Sequence, residues 1–164
     1  MGTTLDPALW AAVAAASVSG GIIGLERQLA GRALGVRTAV LVSIGTVVFV
    51  HVGSSMGGQA DPARVLGQVV TGVGFLGAGV LFQRDGTVSG LTTAASVWLI
   101  AAIAATIAVA GHAWDGLLLA ILTVVGLRVM RALERRLPCL RGTPVAREAQ
   151  RGEDQTGEVT SRPG

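Results

Sequence analysis

Residues 7–25 read PALWAAVAAASVSGGIIGL, nineteen positions without a charged side chain, closed by Glu26-Arg27. An α-helix rises ~1.5 Å per residue, so about 20 such residues cross a hydrocarbon core of ~30 Å. This run follows Asp6-Pro7 with no basic stretch ahead of it, unlike a cleaved signal peptide, and it reads as a first membrane span. Similar runs follow at 39–56, 65–82 and 91–111. A fifth, 116–127, is short. It crosses only if it begins near Ala113 and the arginines at its end snorkel; otherwise the chain has four spans.

Composition supports lipid as the solvent. Hydrophobic residues make up 51% of the 164 and charged residues 14%, against about 25% charged in a typical soluble domain. Too little polar surface remains to cover a water-facing globule. The expected fold class is all-α, a polytopic transmembrane bundle of about five helices. All 13 basic residues are arginine, and the net charge is +3. Arg27, Arg32 and Arg37 lie between runs one and two, Arg84 lies between three and four, and eight more follow run five. Arg64 stands alone on the opposite side. The excess of Arg on one side predicts an outside N-terminus and a cytoplasmic C-terminus. It also accounts for the basic balance without nucleic acid as a partner. The single cysteine, Cys139, excludes an internal disulfide.

Beyond Leu127 the helical pattern continues. Leu127, Met130, Leu133 and Leu137 share one face and Arg128, Arg131 and Arg135 another, an arrangement suited to lying along anionic lipid. The composition then turns polar, so the chain divides into a transmembrane domain over 1–137 and a disordered cytoplasmic tail over 138–164.

Gly72-Val73-Gly74-Phe75-Leu76-Gly77 matches the dinucleotide-binding G-x-G-x-x-G in form only, since it sits inside an apolar span and not between a strand and a helix. Glycines let helix backbones approach closely in lipid. Gly67, Gly72, Gly74, Gly77 and Gly79 therefore predict that span three is the central helix, with Gly20 and Gly24 of span one as a small-residue face for it.

Polar residues gather at span ends. Glu26 and Arg27 form either an interfacial stop or, with Glu26 turned inward to Arg37, a polar cluster under the bundle. Thr38 is a candidate N-cap of span two. Asp61 is a candidate N-cap of span three with Arg64 as its partner, and Gln68 one turn deeper is placed to bond another helix. After a turn at Arg84-Asp85-Gly86, Thr92 and Thr93 either cap span four or line a pocket with Glu26 and Arg37. His51 and His112 lack metal-ligand companions at helical spacing, so no metal or cofactor is expected. No catalytic Ser-His-Asp, paired-carboxylate or thiolate arrangement is visible, and an enzyme is not expected.

Five blocks in order, Gly24-Leu25-Glu26-Arg27, Gly35-Val36-Arg37-Thr38, Asp61-Pro62-Ala63-Arg64-Val65, residues 72–79 (GVGFLGAG) and residues 90–98 (GLTTAASVW), resemble the MgtC/SapB family. The resemblance covers roughly Leu9 to Arg136. It implies a multi-pass protein of the bacterial inner membrane, associated with growth when magnesium is scarce and, in pathogenic members, with virulence through survival in macrophages. It further implies that the protein does not itself carry magnesium, and that it acts on the proton-translocating ATP synthase to limit ATP and membrane potential. The family's motif positions fall on Glu26, Arg27, Gly35, Arg37, Thr38, Asp61, Arg64, Gly74, Gly77, Gly79, Thr92 and Thr93. Two departures stand out: some members have Asn where Thr92 stands, and the virulence members continue into a soluble C-terminal domain in place of a short tail.

The expected function is thus non-enzymatic regulation of ion or energy homeostasis under magnesium limitation. Its partners would be the lipid bilayer, ATP synthase membrane subunits and a possible second copy of the chain. The alternative is a small ion or solute transporter or channel. Gly-rich spans favour that alternative, and the lack of a midplane carboxylate opposes it.

Overall fold

The computed structural model describes residues 6–55, 62–84 and 87–137. Among the described residues five helices form in order: α1 (Pro7–Leu29), α2 (Val36–Ser55), α3 (Pro62–Gly79), α4 (Leu91–Ala110) and α5 (Ala113–Arg136). The fold is the expected all-α bundle, with one small addition. Between α3 and α4 a two-stranded antiparallel hairpin, β1 (Phe82–Arg84) and β2 (Thr87–Ser89), pairs Phe82 with Ser89 and Arg84 with Thr87. It brackets the Asp85-Gly86 step, a dipeptide suited to a tight hairpin turn. The expected tail, 138–164, and the candidate cap Asp61 lie outside the described residues.

Local chemistry sets the helix ends. Asp6 caps α1 by accepting from the Ala8 N–H at 2.9 Å, with Pro7 in the first helical position. The start of α2 is held from outside: Gln28 Oε1 accepts from the Val36 N–H at 3.1 Å. Thr38 is thus two residues inside the helix and is not its cap, since Val36 is the first helical residue. The N-cap of α4 is Gly90 at φ 95°, with no side-chain cap bond. A side chain there would be strained by that φ and would strike the Val80 carbonyl, so the hairpin requires glycine. Thr92 and Thr93 therefore do not cap α4. In α5 the first residue is Ala113, as a membrane crossing requires, and the helix runs unbroken through the arginines to Arg136.

The core is built from α1, α2 and α4, with α5 laid against α1. Ile23, Ala39, Val47, Ile100, Ala104, Ile107 and Ala120 are almost fully enclosed, and Leu34 of the α1–α2 loop plugs the core from one end. Close approach of α1 to α2 depends on two glycines. A Cβ on Gly24 would stand 2.6 Å from Ala39 Cβ, and one on Gly20 would collide with Ser43 Oγ and lie 3.0 Å from the Ala39 carbonyl. These glycines face α2 and not α3.

The expectation that α3 is central is overturned. It packs mainly on α4 and less on α2, whereas α1 packs on α2, α4 and α5. A Cβ on Gly67, Gly72, Gly74 or Gly79 would meet nothing within 4 Å, and only Gly77 touches a neighbour, Ala94. Glycine permits close approach but does not select which helix takes it; the small faces that interlock are those of α1 and α2. Two open grooves flank α3, one of about 690 Å³ toward α2 and one of about 450 Å³ toward α4.

The outside of the bundle is apolar. Phe75 is 80% and Trp114 76% exposed, and Leu29, Leu41, Phe49 and Leu122 are also open. Soluble monomers rarely expose so much contiguous apolar surface. Four helices, α1, α2, α4 and α5, are long and apolar enough to cross a membrane. Helix α3 has 18 residues and contains Arg64 and Gln68. With lipid outside, packing and polar contacts hold the helices together, because burial from water offers no gain between them.

Candidate functional site

Glu26 and Arg27, one turn before the end of α1, are 4% and 2% exposed. Consecutive residues on a helix point about 100° apart, yet both are enclosed because α2, α4 and α5 surround this helix. Arg27 Nε donates to Glu26 Oε2 at 2.9 Å. The other carboxylate oxygen, Oε1, meets Nη2 of Arg131, which reaches in from α5. Arg131 also donates from Nε to the Leu127 carbonyl at 3.3 Å, which steadies its stem along α5. One carboxylate thus faces two guanidinium groups, and the cluster carries one positive charge in excess. Arg27 Nη1 is buried with no hydrogen-bond partner among the described residues.

The inward partner of Glu26 differs from the expected one. Arg37 is exposed at the start of α2, and Arg131 takes the role assigned to it. The signal for Arg131 was present in α5. Gly116 and Ala120 are that helix's buried residues, and steps of three or four along the same stripe lead through Val124 and Leu127 to Arg131. Assigning Arg131 to the face turned toward anionic lipid hid that continuity.

The remaining candidates divide between the two ends of the bundle. Gly24 lies against Val36 and Ala39, and Gly53 lies against Val65. The start of α2 therefore adjoins Glu26, and its other end adjoins the start of α3, about 25 Å away at 1.5 Å per residue. Arg37, Thr38, Thr92 and Thr93 belong with Glu26 at one end. Arg64 and Gln68 lie toward the other and do not join the cluster; both are exposed, and Gln68 lines the groove toward α2 with Thr38 and Thr46. Thr93 is buried and Thr92 exposed, with the Thr92 carbonyl accepting from Ser96 Oγ at 2.7 Å.

Sequence reasoning also missed contacts at the far end. His51 Nε2 lies 3.7 Å from Asp6 Oδ2, tying the last turns of α2 to the cap of α1, and His112 Nδ1 lies 3.9 Å from Asp115 Oδ2. Among the described residues, no three His, Cys, Asp or Glu side chains converge in a way that could hold a metal ion.

An apolar-surfaced helical bundle with an enclosed carboxylate–guanidinium cluster at one end defines a multi-helix membrane protein. Its family is settled by comparison: the MgtC family profile matches residues 13–136, and the chain belongs to that family. "Protein MgtC" of Brucella abortus (strain 2308) is 46% identical over 93 residues, covering 57% of this chain and 39% of that protein. "Putative magnesium transporter YhiD" of Escherichia coli (strain K12) is 38% identical over 136 residues, 74% of this chain and 60% of that protein. An uncharacterized protein of Haemophilus influenzae is 36% identical over 130 residues, 73% and 54% respectively. The chain thus spans less than two thirds of each of these relatives. No solved structure matches it.

Proposed function

We propose that the protein is a non-enzymatic regulator of ion or energy homeostasis in the bacterial inner membrane, needed when magnesium is scarce. The observation that carries this reading is the enclosed Glu26–Arg27–Arg131 cluster. It fastens α1 to α5, and none of its groups is placed to bind a divalent cation, because its only carboxylate is already committed to two arginines. Membership of the MgtC family, one relative in which is named a putative magnesium transporter, supports the physiological setting. In this proposal the N-terminus is outside and the cluster end faces the cytoplasm, where most of the arginines lie. Membrane subunits of the ATP synthase are the proposed partner. The outward face at Arg37, Thr38 and Thr92, together with the open side of α3, is where a partner helix would dock. Residues 1–137 form the acting domain, and neither nucleic acid nor a cofactor takes part.

The test is growth of a deletion strain across a magnesium series, complemented by the intact gene or by Glu26→Gln and Arg37→Gln variants. Failure only at low magnesium, rescued by the intact gene and not by the variants, is expected. Rescue by both variants would overturn the role given to this end of the bundle.

A second reading, a small ion or solute transporter, draws on the E. coli relative's name and on the two grooves beside α3. Magnesium flux into proteoliposomes containing the purified chain, absent from empty vesicles, would favour it.

A further inference from the structure

The last three turns of α5 carry a second feature, on the outer side of the buried cluster. Arg128, Arg131, Ala132, Arg135 and Arg136 line an open cavity of about 370 Å³ along this helix. Four arginines line it and no acidic residue does; Glu134, the acid in this stretch, is exposed and outside the lining. We propose that this cavity binds the phosphate of an anionic phospholipid headgroup.

Three observations converge on that ligand. Arginine presents a planar fork of N–H donors that matches the oxygens of a phosphate, and its charge persists at any physiological pH. Arg131 is shared between the cavity and the core, where Glu26 and the Leu127 carbonyl grip it from behind. It is thus already ordered before a ligand arrives, which lowers the entropic cost of binding. The cluster behind it holds one cation too many, and Arg27 Nη1 is buried with no hydrogen-bond partner among the described residues. An anion at the outer side of Arg131 offsets that excess in a region where charges are weakly screened.

Placement selects lipid as the source of the phosphate. Helix α5 has 24 residues, about 36 Å of rise, against a hydrocarbon core of about 30 Å. The last turn, with Arg135 and Arg136, thus stands beyond the hydrocarbon core, and Arg128 reaches the same depth by extending its side chain toward the headgroups. Arginines at a helix end also satisfy topology and the helix dipole, but those effects require neither a shared cavity nor an inner carboxylate holding one of them in place.

The experiment is native mass spectrometry of the full chain in detergent, with phosphatidylglycerol or phosphatidylcholine of identical acyl chains. The intact protein is expected to retain phosphatidylglycerol selectively. Each arginine near an anionic lipid contributes about fivefold, so Arg128→Gln with Arg135→Gln should lower retention about twenty-fivefold. Both residues are exposed, and their loss leaves the core untouched. Arg32→Gln, an exposed arginine of the α1–α2 loop, is expected to change nothing. Equal retention of the two lipids would overturn the proposal, as would an equal loss from Arg32→Gln. Binding of inorganic phosphate without preference between the lipids would assign the cavity to a soluble anion and overturn its assignment to lipid.

Discussion

Replacing Glu26 by Gln tests the charge arithmetic of the buried cluster. The carboxylate is 3% exposed and neutralises one of two guanidinium groups; without it, Arg27, itself 2% exposed, has no counter-charge. Stranding a buried charge by removing its partner costs about 3–5 kcal/mol. Arg131→Gln is a different case. It leaves Glu26 paired with Arg27 at 2.9 Å and removes the excess cation, and Arg131 is 28% exposed, so part of its interaction is already screened. Its loss should cost about 1.5 kcal/mol, the low end for hydrogen bonds to charged groups. The difference exceeds tenfold in the unfolding equilibrium, since about 1.4 kcal/mol is a factor of ten. Equilibrium unfolding in mixed SDS and dodecylmaltoside micelles measures it directly. A Glu26→Gln/Arg27→Gln double variant should be more stable than Glu26→Gln alone, because the stranded cation is gone and Arg131 can extend to the headgroups. The reasoning fails if Arg131→Gln is as damaging as Glu26→Gln, or if the double variant shows the simple sum of its two singles.

Further outcomes follow from other contacts. Gly24→Leu should overpack the α1–α2 contact by about 3 kcal/mol or more and lower the yield of monodisperse protein. Gly74→Ala, where nothing lies within 4 Å, should raise stability by about 0.5–1 kcal/mol through helix propensity alone; a marked loss instead would mean that α3 is covered by another chain. Asp6→Ala removes the cap bond to Ala8 and the contact to His51, and should cost about 1–2 kcal/mol in the same micellar unfolding assay. For orientation, Cys139 is the only thiol. A membrane-impermeant maleimide should label it in inverted vesicles and not in intact spheroplasts, and the reverse pattern would invert the proposed topology.

Helices α1, α2, α4 and α5 were legible because each carries an apolar run that only lipid accommodates; α3, with Arg64 and Gln68, carries a weaker one. The boundaries were less so, and for a physical reason. The apolar run of α1 stops at Leu25, where charge begins, yet the helix continues to Leu29 with Glu26 and Arg27 folded into the bundle. Helix α5 passes straight through Arg128 and Arg131. A charge ends an apolar run without ending a helix whenever a partner waits on the neighbouring element, and that partner is a tertiary fact. The placement of α3 failed similarly: five glycines describe a slender helix, but nothing in them states which neighbour approaches. The Glu26 site was legible as a residue and illegible as a pair, because Arg37 is close in sequence whereas Arg131 is close in space.

The loose seating of α3 bears on how the chain is made. A segment of 18 residues that carries Arg64 and Gln68 partitions weakly into lipid by itself, and the ribosome releases it before α4 exists. The tight β1–β2 connection then delivers α4, an uninterrupted stretch from Leu91 to Ala110 with no ionisable group. Insertion of α3 is thereby coupled to the arrival of its successor, so that the two enter the membrane as a hairpin. A chain stalled or cleaved between β1 and β2 would leave α3 at the translocon exit with no helix to accompany it.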